Sequence, residues 1–463
     1  MMRYVIVGSG VAGIAAIEAI RSVDKGGEIW LLHEDPHGFY SRPGLAYYLT
    51  DEIPEAQLFP HSVDLKRLRV RRLWARVTHI DPQQSQVRGI AYRIQQGLFG
   101  HKVREEAFTL TYDRLLLAVG SQAIPLGVAG TNLRGVVKLD HLDDARRIRS
   151  LARRSRTAIV IGGGITALEL VEGLRAQGLR VHYLMRGERY WSNILDESES
   201  RVVEHRLEEE GVTLHHFAEV EEILERKGQV AGVRLKDGKD IRGEMVAYAI
   251  GVRPRLDLAV QIGLQTDRGI LVNEYMQTSI PNIFAAGDVA QVYDPRTGKA
   301  VLDTLWTPAR EQGWTAGLNM AGQTRPHRRG IPFNVTRLAG ITTTIIGYLG
   351  QGRGEDTVSI VRGESEVWRE MPEAILAQSG FEINRLRLLV GERTLLGAIV
   401  MGDQMLSFPL QRLIAEEVDI RPIRARLLEK GANLSQILAD YWQALNATTS
   451  PSIIRPALKP SKA

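Results

Sequence analysis

Three glycines, Gly8, Gly10 and Gly13, stand in the spacing G-x-G-x-x-G between a β-branched run, Tyr4 to Val7, and an apolar pattern of helical period. Each has a separate use in such a turn. Gly8 permits a tight reversal, Gly10 lets the backbone approach a pyrophosphate, and Gly13 lets helix and strand pack closely. The phosphates then rest on the positive end of the helix dipole, where unpaired backbone N–H groups point outward. Glu34 ends the following strand, Glu28 to His33, and is placed to accept from the ribose hydroxyls of an adenosine. Together these residues predict the capture of an adenine dinucleotide.

The pattern occurs twice. RYVIVGSGVAGIAAIEAI from Arg3 and TAIVIGGGITALELVEGL from Thr157 each read as strand, glycine turn and helix, and Gly162, Gly164 and Ala167 fall in the frame of the first triplet. The next strand is Arg180 to Met185. Met185 stands where the first copy has Glu34, and Arg186 and Arg189 follow it. Loss of the carboxylate removes the partner of a bare 2'-hydroxyl, and a guanidinium can pair with a 2'-phosphate, so NADPH is favoured over NADH. Two solvated surface arginines are the alternative reading. Two dinucleotide sites in one chain imply two dinucleotides, one held and one exchanged, with a hydride passing between them.

The elements that must position these turns are two βαβ units of parallel sheet. Ala75 to Val87 and Phe108 to Val119 read as strands of a small antiparallel layer that returns to the first sheet. Met245 to Ile250 is a comparable return strand, and Ile280 to Val289 a further buried strand ending in a loop. A helical pattern runs from Asp303 to Ala321. Beyond Pro332 the composition shifts, with strands near Leu386 to Val390 and Leu395 to Met401, then helices near Leu406 to Glu416 and Ile420 to Asn446. The fold class is therefore α/β, with two Rossmann-like domains followed by an α+β domain. The expected boundaries are 1–120 with 253–328, 121–252 and 329–448, with a loose tail over 449–463.

A chain of 463 residues with 44% apolar and 24% charged side chains has the balance of a multidomain globular protein. Its formal charge is +5, carried largely by scattered arginines without aromatic interleaving, which speaks against nucleic-acid binding and suits an anionic nucleotide or acidic partner. No leader pattern and no run of about 18 apolar residues is found, so a cytoplasmic protein without a transmembrane segment is expected. The histidines show no metal-like clustering, and no metal site is expected. There is no cysteine.

The sequence resembles the pyridine-nucleotide:flavin oxidoreductases with two dinucleotide domains, over residues 1 to about 325. Five ordered matches carry the resemblance: GSGVAG at Gly8, LLLAVGS at Leu115, VIGGGITALE at Val160, AIGVRPR at Ala249 and IPNIFAAGDVA at Ile280. It implies FAD on the first glycine turn and NAD(P)H on the second. By the same resemblance Asp288 and Gly287 approach the flavin ribityl and pyrophosphate, Val77 and Gly120 contact FAD, and Gly251 borders the NAD(P)H. PHGFYSRPGL, Pro36 to Leu45, is similar to a segment of rubredoxin and ferredoxin reductases and of assimilatory nitrite reductases. That similarity places Arg42 and Pro43 along the FAD, although the lysine those relatives often carry shortly afterwards is replaced here by Ala46 and Tyr47. The helix LWTPAREQGWTAGLNMAG offers Trp306, Glu311 and Gln312 as flavin contacts, and Glu169 would face the nicotinamide. Trp306 and Glu169 are thus the expected catalytic pair; a core aromatic and a helix-surface glutamate are the alternatives. LRLLVGERTLLGAIVMGD, Leu386 to Asp403, resembles the hairpin of the interface domain, which implies a cover over the flavin or a homodimer contact.

Hydride transfer between stacked rings requires alignment more than proton transfer, so no general base is assigned. The absence of cysteine then selects among branches. Disulfide reductases, coenzyme A-disulfide reductases and peroxidatic NADH oxidases all depend, as the resemblance implies, on a sulfur beside the flavin. What survives is delivery of electrons to a separate acceptor, led by an iron-sulfur protein of rubredoxin or ferredoxin type or a partner subunit. Two alternatives stay open: a type II NAD(P)H:quinone dehydrogenase, and a flavin-bearing structural subunit without turnover of its own.

Overall fold

The computed structural model describes residues 1–60, 63–97, 100–349, 375–381 and 384–448. Among them two compact units are found, one holding the residues up to Gly330 and the other those from Ile331 onward. The first unit contains both glycine turns.

Tyr4, Val5 and Ile6 are buried on both faces of their strand, as a near-continuous apolar run requires of a central parallel strand. That strand, Arg3–Val7, is an interior strand, third in the order of a seven-stranded sheet. Val5 is opposite Trp30 of Glu28–His33 on one side and Leu115 of Arg114–Leu117 on the other. Ile283–Ala285 extends the sheet beyond Arg114–Leu117, again in parallel. At the other end the strand Val70–Asp81 changes partners midway. Its first half runs parallel to Ile29–His33, and its second half pairs antiparallel with Gln86–Gly97, which in turn pairs with Gly100–Thr111.

The second repeat builds a five-stranded, all-parallel sheet in the order Val212–His215, Arg180–Leu184, Thr157–Ile161, Met245–Tyr248, Val136–Lys138. In both sheets the strand before the glycine turn has the next strand of its βαβ unit on one side and the return strand on the other. Each turn therefore sits at a topological switch point, where strand order reverses and a crevice opens at the carboxyl ends. A two-stranded antiparallel connector, Ser121–Ala123 with Val252–Pro254, carries the chain out to the second sheet and back.

Helix Trp306–Met320 lies against the helix of the first turn, Val11–Val23, with almost no side chain between them. A Cβ on Gly313 would stand 2.1 Å from the carbonyl oxygen of Ala12, and one on Gly317 2.4 Å from that of Ala16. This seam of small residues draws the start of the later helix to the first glycine turn.

The second unit is a five-stranded antiparallel sheet in the order Phe333–Leu338, Ile341–Gly347, Leu395–Met401, Asn384–Val390, Ile375–Phe381. Helices Ser407–Ala415, Arg421–Leu427 and Leu434–Thr448 complete it, around a core that includes Leu388, Leu410, Ile420 and Leu438.

Several element boundaries differ from expectation. The single helix expected over Ile420 to Asn446 is two, broken after Leu427 where Gly431 takes a φ of +80°. The strand expected over Phe108 to Val119 is the end of Gly100–Thr111 and the whole of Arg114–Leu117, separated where the Tyr112 N–H donates to the Ser85 carbonyl and the Asp113 N–H to that of Arg3. The helical pattern from Asp303 begins only at Trp306, because Leu305 is extended and serves as its N-cap. A three-stranded antiparallel sheet, Val220–Arg226, Gln229–Leu235 and Asp240–Arg242, was not expected at all. The tail over 449–463 lies outside the described residues.

One buried charge cluster offers a direct test of this packing. Arg329 donates to Asp294 at 2.8 Å and to both oxygens of Asp303 at 2.8 and 2.9 Å, with all three side chains no more than 5% exposed. Removing the cation leaves two carboxylates without it in a dry site. Arg329→Met is expected to lower the unfolding free energy by about 3–5 kcal/mol in urea titrations, and a loss below about 1 kcal/mol would show that the cluster is not holding the unit together.

Candidate functional site

A cleft of about 770 Å³ opens where the strands of the first sheet end. Its floor is made by the residues that close the glycine turn. The Gly8 N–H donates to the carbonyl of Leu32 at 2.8 Å, and the Ala118 N–H donates to that of Val7 at 2.8 Å. Gly8 has a φ of +113°, and a Cβ there would lie 2.1 Å from the Ala118 carbonyl oxygen. Gly10 is the opposite case. It is the N-cap of Val11–Val23 in an extended conformation, lines the cleft, and a Cβ on it would meet nothing within 4 Å. Gly13 lies one helical turn further on, where a Cβ would stand 2.1 Å from the Gly8 carbonyl oxygen.

The walls carry most of the other expected residues. Glu34, Arg42, Pro43, Val77, Gly120, Gly287, Asp288 and Trp306 all line the cleft. Gln312 lies just beneath it, 1% exposed, and its amide oxygen accepts from the Gly287 N–H at 2.9 Å. Glu311 is exposed on the same helix and does not line the cleft. Trp306 begins that helix and stacks on Phe39, with ring centroids 6.1 Å apart and planes 28° from parallel. An apolar wall of this kind, with a few convergent polar groups, suits a nucleotide cofactor.

Charges in the cleft are paired across elements. Glu34 accepts from Nε of Arg76 at 2.7 Å, and Arg255 stands 3.9 Å from its other oxygen. Asp288 accepts from the Ser121 hydroxyl at 2.7 Å. The Arg42 guanidinium donates to the Asp140 carbonyl at 3.2 Å, and the fully buried Asp140 carboxylate also has Lys138 at 3.2 Å. Tyr40 donates to Asp35 at 2.9 Å and accepts from the Leu142 N–H at 3.0 Å; burial holds its phenol well above the ordinary range. His141, also in the lining, is pushed by burial below the usual imidazole value. Both groups are therefore neutral near pH 7, which leaves them as dipoles and not as charges.

Arg76, Arg255, Ser121, Tyr40 and Asp140 were not singled out from sequence. Three of them lie inside quoted motifs: Ser121 in LLLAVGS, Arg255 in AIGVRPR and Tyr40 in PHGFYSRPGL. The signal was their place beside an expected glycine or arginine. Arg76 and Asp140 had no motif to mark them.

The second glycine turn repeats the construction. The Gly162 N–H donates to the Leu184 carbonyl at 3.1 Å, its φ is +152°, and a Cβ would lie 2.3 Å from the carbonyl oxygen of Ala249. Gly164 is the N-cap of Ile165–Ala176, and Ala167 is buried in that helix with Glu169 half-buried two residues on. Gly251, with a φ of +125°, follows the return strand. Met185 is 1% exposed, so the place equivalent to Glu34 offers nothing to a ligand. Of the two arginines, Arg189 is committed to Glu188 and to the Ser192 carbonyl at 3.3 Å. Arg186 is exposed and makes no ion pair with the described residues.

With two glycine turns at two switch points and a nucleotide-sized cleft, the molecule belongs to a class that holds two dinucleotides. The family description pyridine nucleotide-disulphide oxidoreductase matches residues 2–313, and the chain belongs to that family, whose members are FAD-containing, NAD(P)H-dependent oxidoreductases. It is 26% identical over 422 residues to nitrite reductase (NAD(P)H) of Bacillus subtilis (strain 168), covering 90% of this chain and 48% of that protein. The chain thus spans about half the length of that relative. It is 30% identical over 389 residues to the biphenyl dioxygenase system ferredoxin–NAD(+) reductase component of Paraburkholderia xenovorans (strain LB400), covering 83% and 87% of the two chains. The fold is similar to the crystal structure of a ferredoxin reductase for the CYP199A2 system from Rhodopseudomonas palustris, with a TM-score of 0.79 at 22% identity over 95% and 100% of the chains. No helix among the described residues is long and apolar enough to cross a membrane.

Gly8 and Gly10 provide a paired test of this geometry. Gly8→Ala forces a side chain into a positive φ and onto a backbone carbonyl, at an expected cost of at least about 2 kcal/mol in denaturant unfolding of the flavin-free protein. Gly10→Ala, whose Cβ points into open space, should stay within about 0.5 kcal/mol of wild type in the same assay. Equal losses for the two would contradict the geometry.

Proposed function

We propose that this chain is the reductase component of an electron-transfer pair, taking a hydride from NAD(P)H and handing its two electrons to a separate iron-sulfur protein or partner subunit. The observation that carries this reading is that none of the 463 residues is cysteine. No thiol of this chain can receive the electrons, so the disulfide and peroxidatic chemistries known within the family have no terminus here. The names of the relatives point the same way, since one is a ferredoxin reductase component and another an electron-transfer subunit of assimilatory nitrate reductase.

On this reading residues 1–120 and 253–328 form the FAD domain, 121–252 the NAD(P)H domain and 329–448 a third domain. The cleft fits FAD: Gly10 leaves its wall free for a pyrophosphate at the helix N-terminus, and Glu34 remains 46% exposed at the place suited to the adenosine ribose. FAD, when bound, supplies a redox centre that accepts electrons in pairs and can release them singly. The chain's own work is to bind and align. Arg42 offers positive charge to phosphates, Asp288 an acceptor held in place by Ser121, and Trp306 an apolar wall; Val77, Gly120 and Gly287 bring backbone close. Glu311, outside the lining, is given no part in holding FAD. Glu169, on the helix that begins at the second glycine turn, is assigned to the nicotinamide side. No group in the cleft needs to move a proton, in keeping with the neutral Tyr40 and His141. Arg186 is the guanidinium available to a 2'-phosphate, which favours NADPH over NADH.

The protein purified with its flavin should lose its yellow absorption band when mixed anaerobically with NADPH, and recover it on addition of oxidised ferredoxin or rubredoxin. Reduction that is followed by reoxidation with a quinone but with no iron-sulfur protein would overturn the proposed acceptor. In the same preparation Gly10→Val is expected to purify colourless.

A further inference from the structure

Phe217 is the most exposed large aromatic side chain among the described residues of the second repeat, at 73%, and its φ is +52°. A bulky residue in the left-handed region is uncommon, and such conformations persist where the surroundings impose them. The surroundings here are unusually well tied. Phe217 donates its N–H to the carbonyl of Gly187 at 3.1 Å, Ala218 donates to Met185 at 2.9 Å, and Met185 donates to His215 at 2.9 Å. Those bonds lace the loop after Arg180–Leu184 to the loop after Val212–His215. Both loops are also fixed to one carboxylate of helix Glu197–Glu209, because Glu204 accepts from the Tyr190 N–H at 2.6 Å and stands 3.1 Å from the His216 ring nitrogen.

The residues on either side are treated differently. Met185 and Ala218 are buried at 1% and 4%, whereas Phe217 beside them faces outward. The Phe217 backbone is one hydrogen bond from Gly187, the residue after Arg186, at the carboxyl ends of two adjacent parallel strands. In an open parallel sheet that is the side of the switch point on which the adenosine half of a dinucleotide lies. A flat apolar face carried by a backbone tied down at that place can stack on a purine, an interaction every base permits.

We propose that Phe217 is the stacking platform for the adenine of the exchanging nucleotide and is a positioning residue for its affinity, while Arg186 beside it reads the ribose substituent. This rests on the reading that the second glycine turn binds NAD(P)H. The two residues divide the recognition: the ring binds NADPH and NADH alike, and the guanidinium separates them. Arg189, already engaged with Glu188 and Ser192, supports the loop.

The test uses the flavin-loaded full chain, with dye reduction for KM and kcat and calorimetry with ADP-ribose, which carries the adenine but no nicotinamide. Phe217→Ala is expected to raise KM for both NADPH and NADH roughly ten-fold, with kcat at saturation retained, and to weaken ADP-ribose binding in step. Phe217→Trp should restore both, which a merely structural role for the ring would not predict. Arg186→Ala should raise KM for NADPH alone. If Phe217→Ala leaves KM and ADP-ribose affinity unchanged while Gly164→Val abolishes both, the platform is wrong and the nucleotide site stands. If Gly164→Val folds normally and still binds NAD(P)H as wild type does, the site itself is wrong and the platform falls with it.

Discussion

Two carbonyl oxygens govern this molecule. That of Ala118 occupies the space a Cβ on Gly8 would need, and that of Ala249 does the same over Gly162. In each repeat the end of the return strand presses directly onto the first residue of the turn, so the strand, the turn and the helix that follows have no freedom to separate. The same closeness recurs at Gly13, whose missing side chain lets the helix settle on the Gly8 carbonyl. The position of the helix N-terminus that a phosphate would meet follows first from these close backbone approaches.

Close approach then propagates. Gly313 and Gly317 bring helix Trp306–Met320 against Ala12 and Ala16, and this is why Trp306 and Gln312, three hundred residues from the first turn in sequence, stand at its cleft. The two-stranded connector is tied in as well. Ser121 on its outgoing strand bonds Asp288, and Arg255, immediately after its returning strand, donates from its backbone to the Gly120 carbonyl at 3.0 Å and approaches Glu34. The two carboxylates expected to hold FAD are thus each in touch with the segment through which the chain passes to the second sheet.

The sequence made the repeats legible because their signals are local: β-branched strands, glycines at fixed spacing, and a helix of period 3.6 all lie within some thirty residues. Glu28–His33 was legible to the residue for that reason. What escaped depends on contacts distant in sequence. Asp140 has no motif, and meets the cleft residue Arg42 only because Leu142–Ala152 packs beside the segment carrying Tyr40 and Arg42. The sheet formed by Val220–Arg226, Gln229–Leu235 and Asp240–Arg242 is rich in charged residues, so its alternation gave no clear apolar face to read. Arg186 and Arg189 were indistinguishable in sequence, and only the bonds of Arg189 separate them. Phe217 has no periodic partner, so its outward, left-handed placement could be learned only from the backbone.

The two repeats also differ in a way that bears on which nucleotide stays and which leaves. The first turn opens into a cleft walled by several separate stretches of chain, with Gly287, Trp306 and Arg42 among the residues that line the space beyond the turn. A ligand there gives up its solvent on several sides at once, and its departure would require those walls to be rewetted together. Around the second turn Met185 is withdrawn, while Arg186 and Phe217 are both exposed to solvent. A ligand held there as proposed, by one stacked face and one guanidinium, could leave without disturbing the fold. On the proposed reading, one chain carries two copies of the same turn, and the surroundings, more than the turns themselves, would fit the first to residence and the second to exchange.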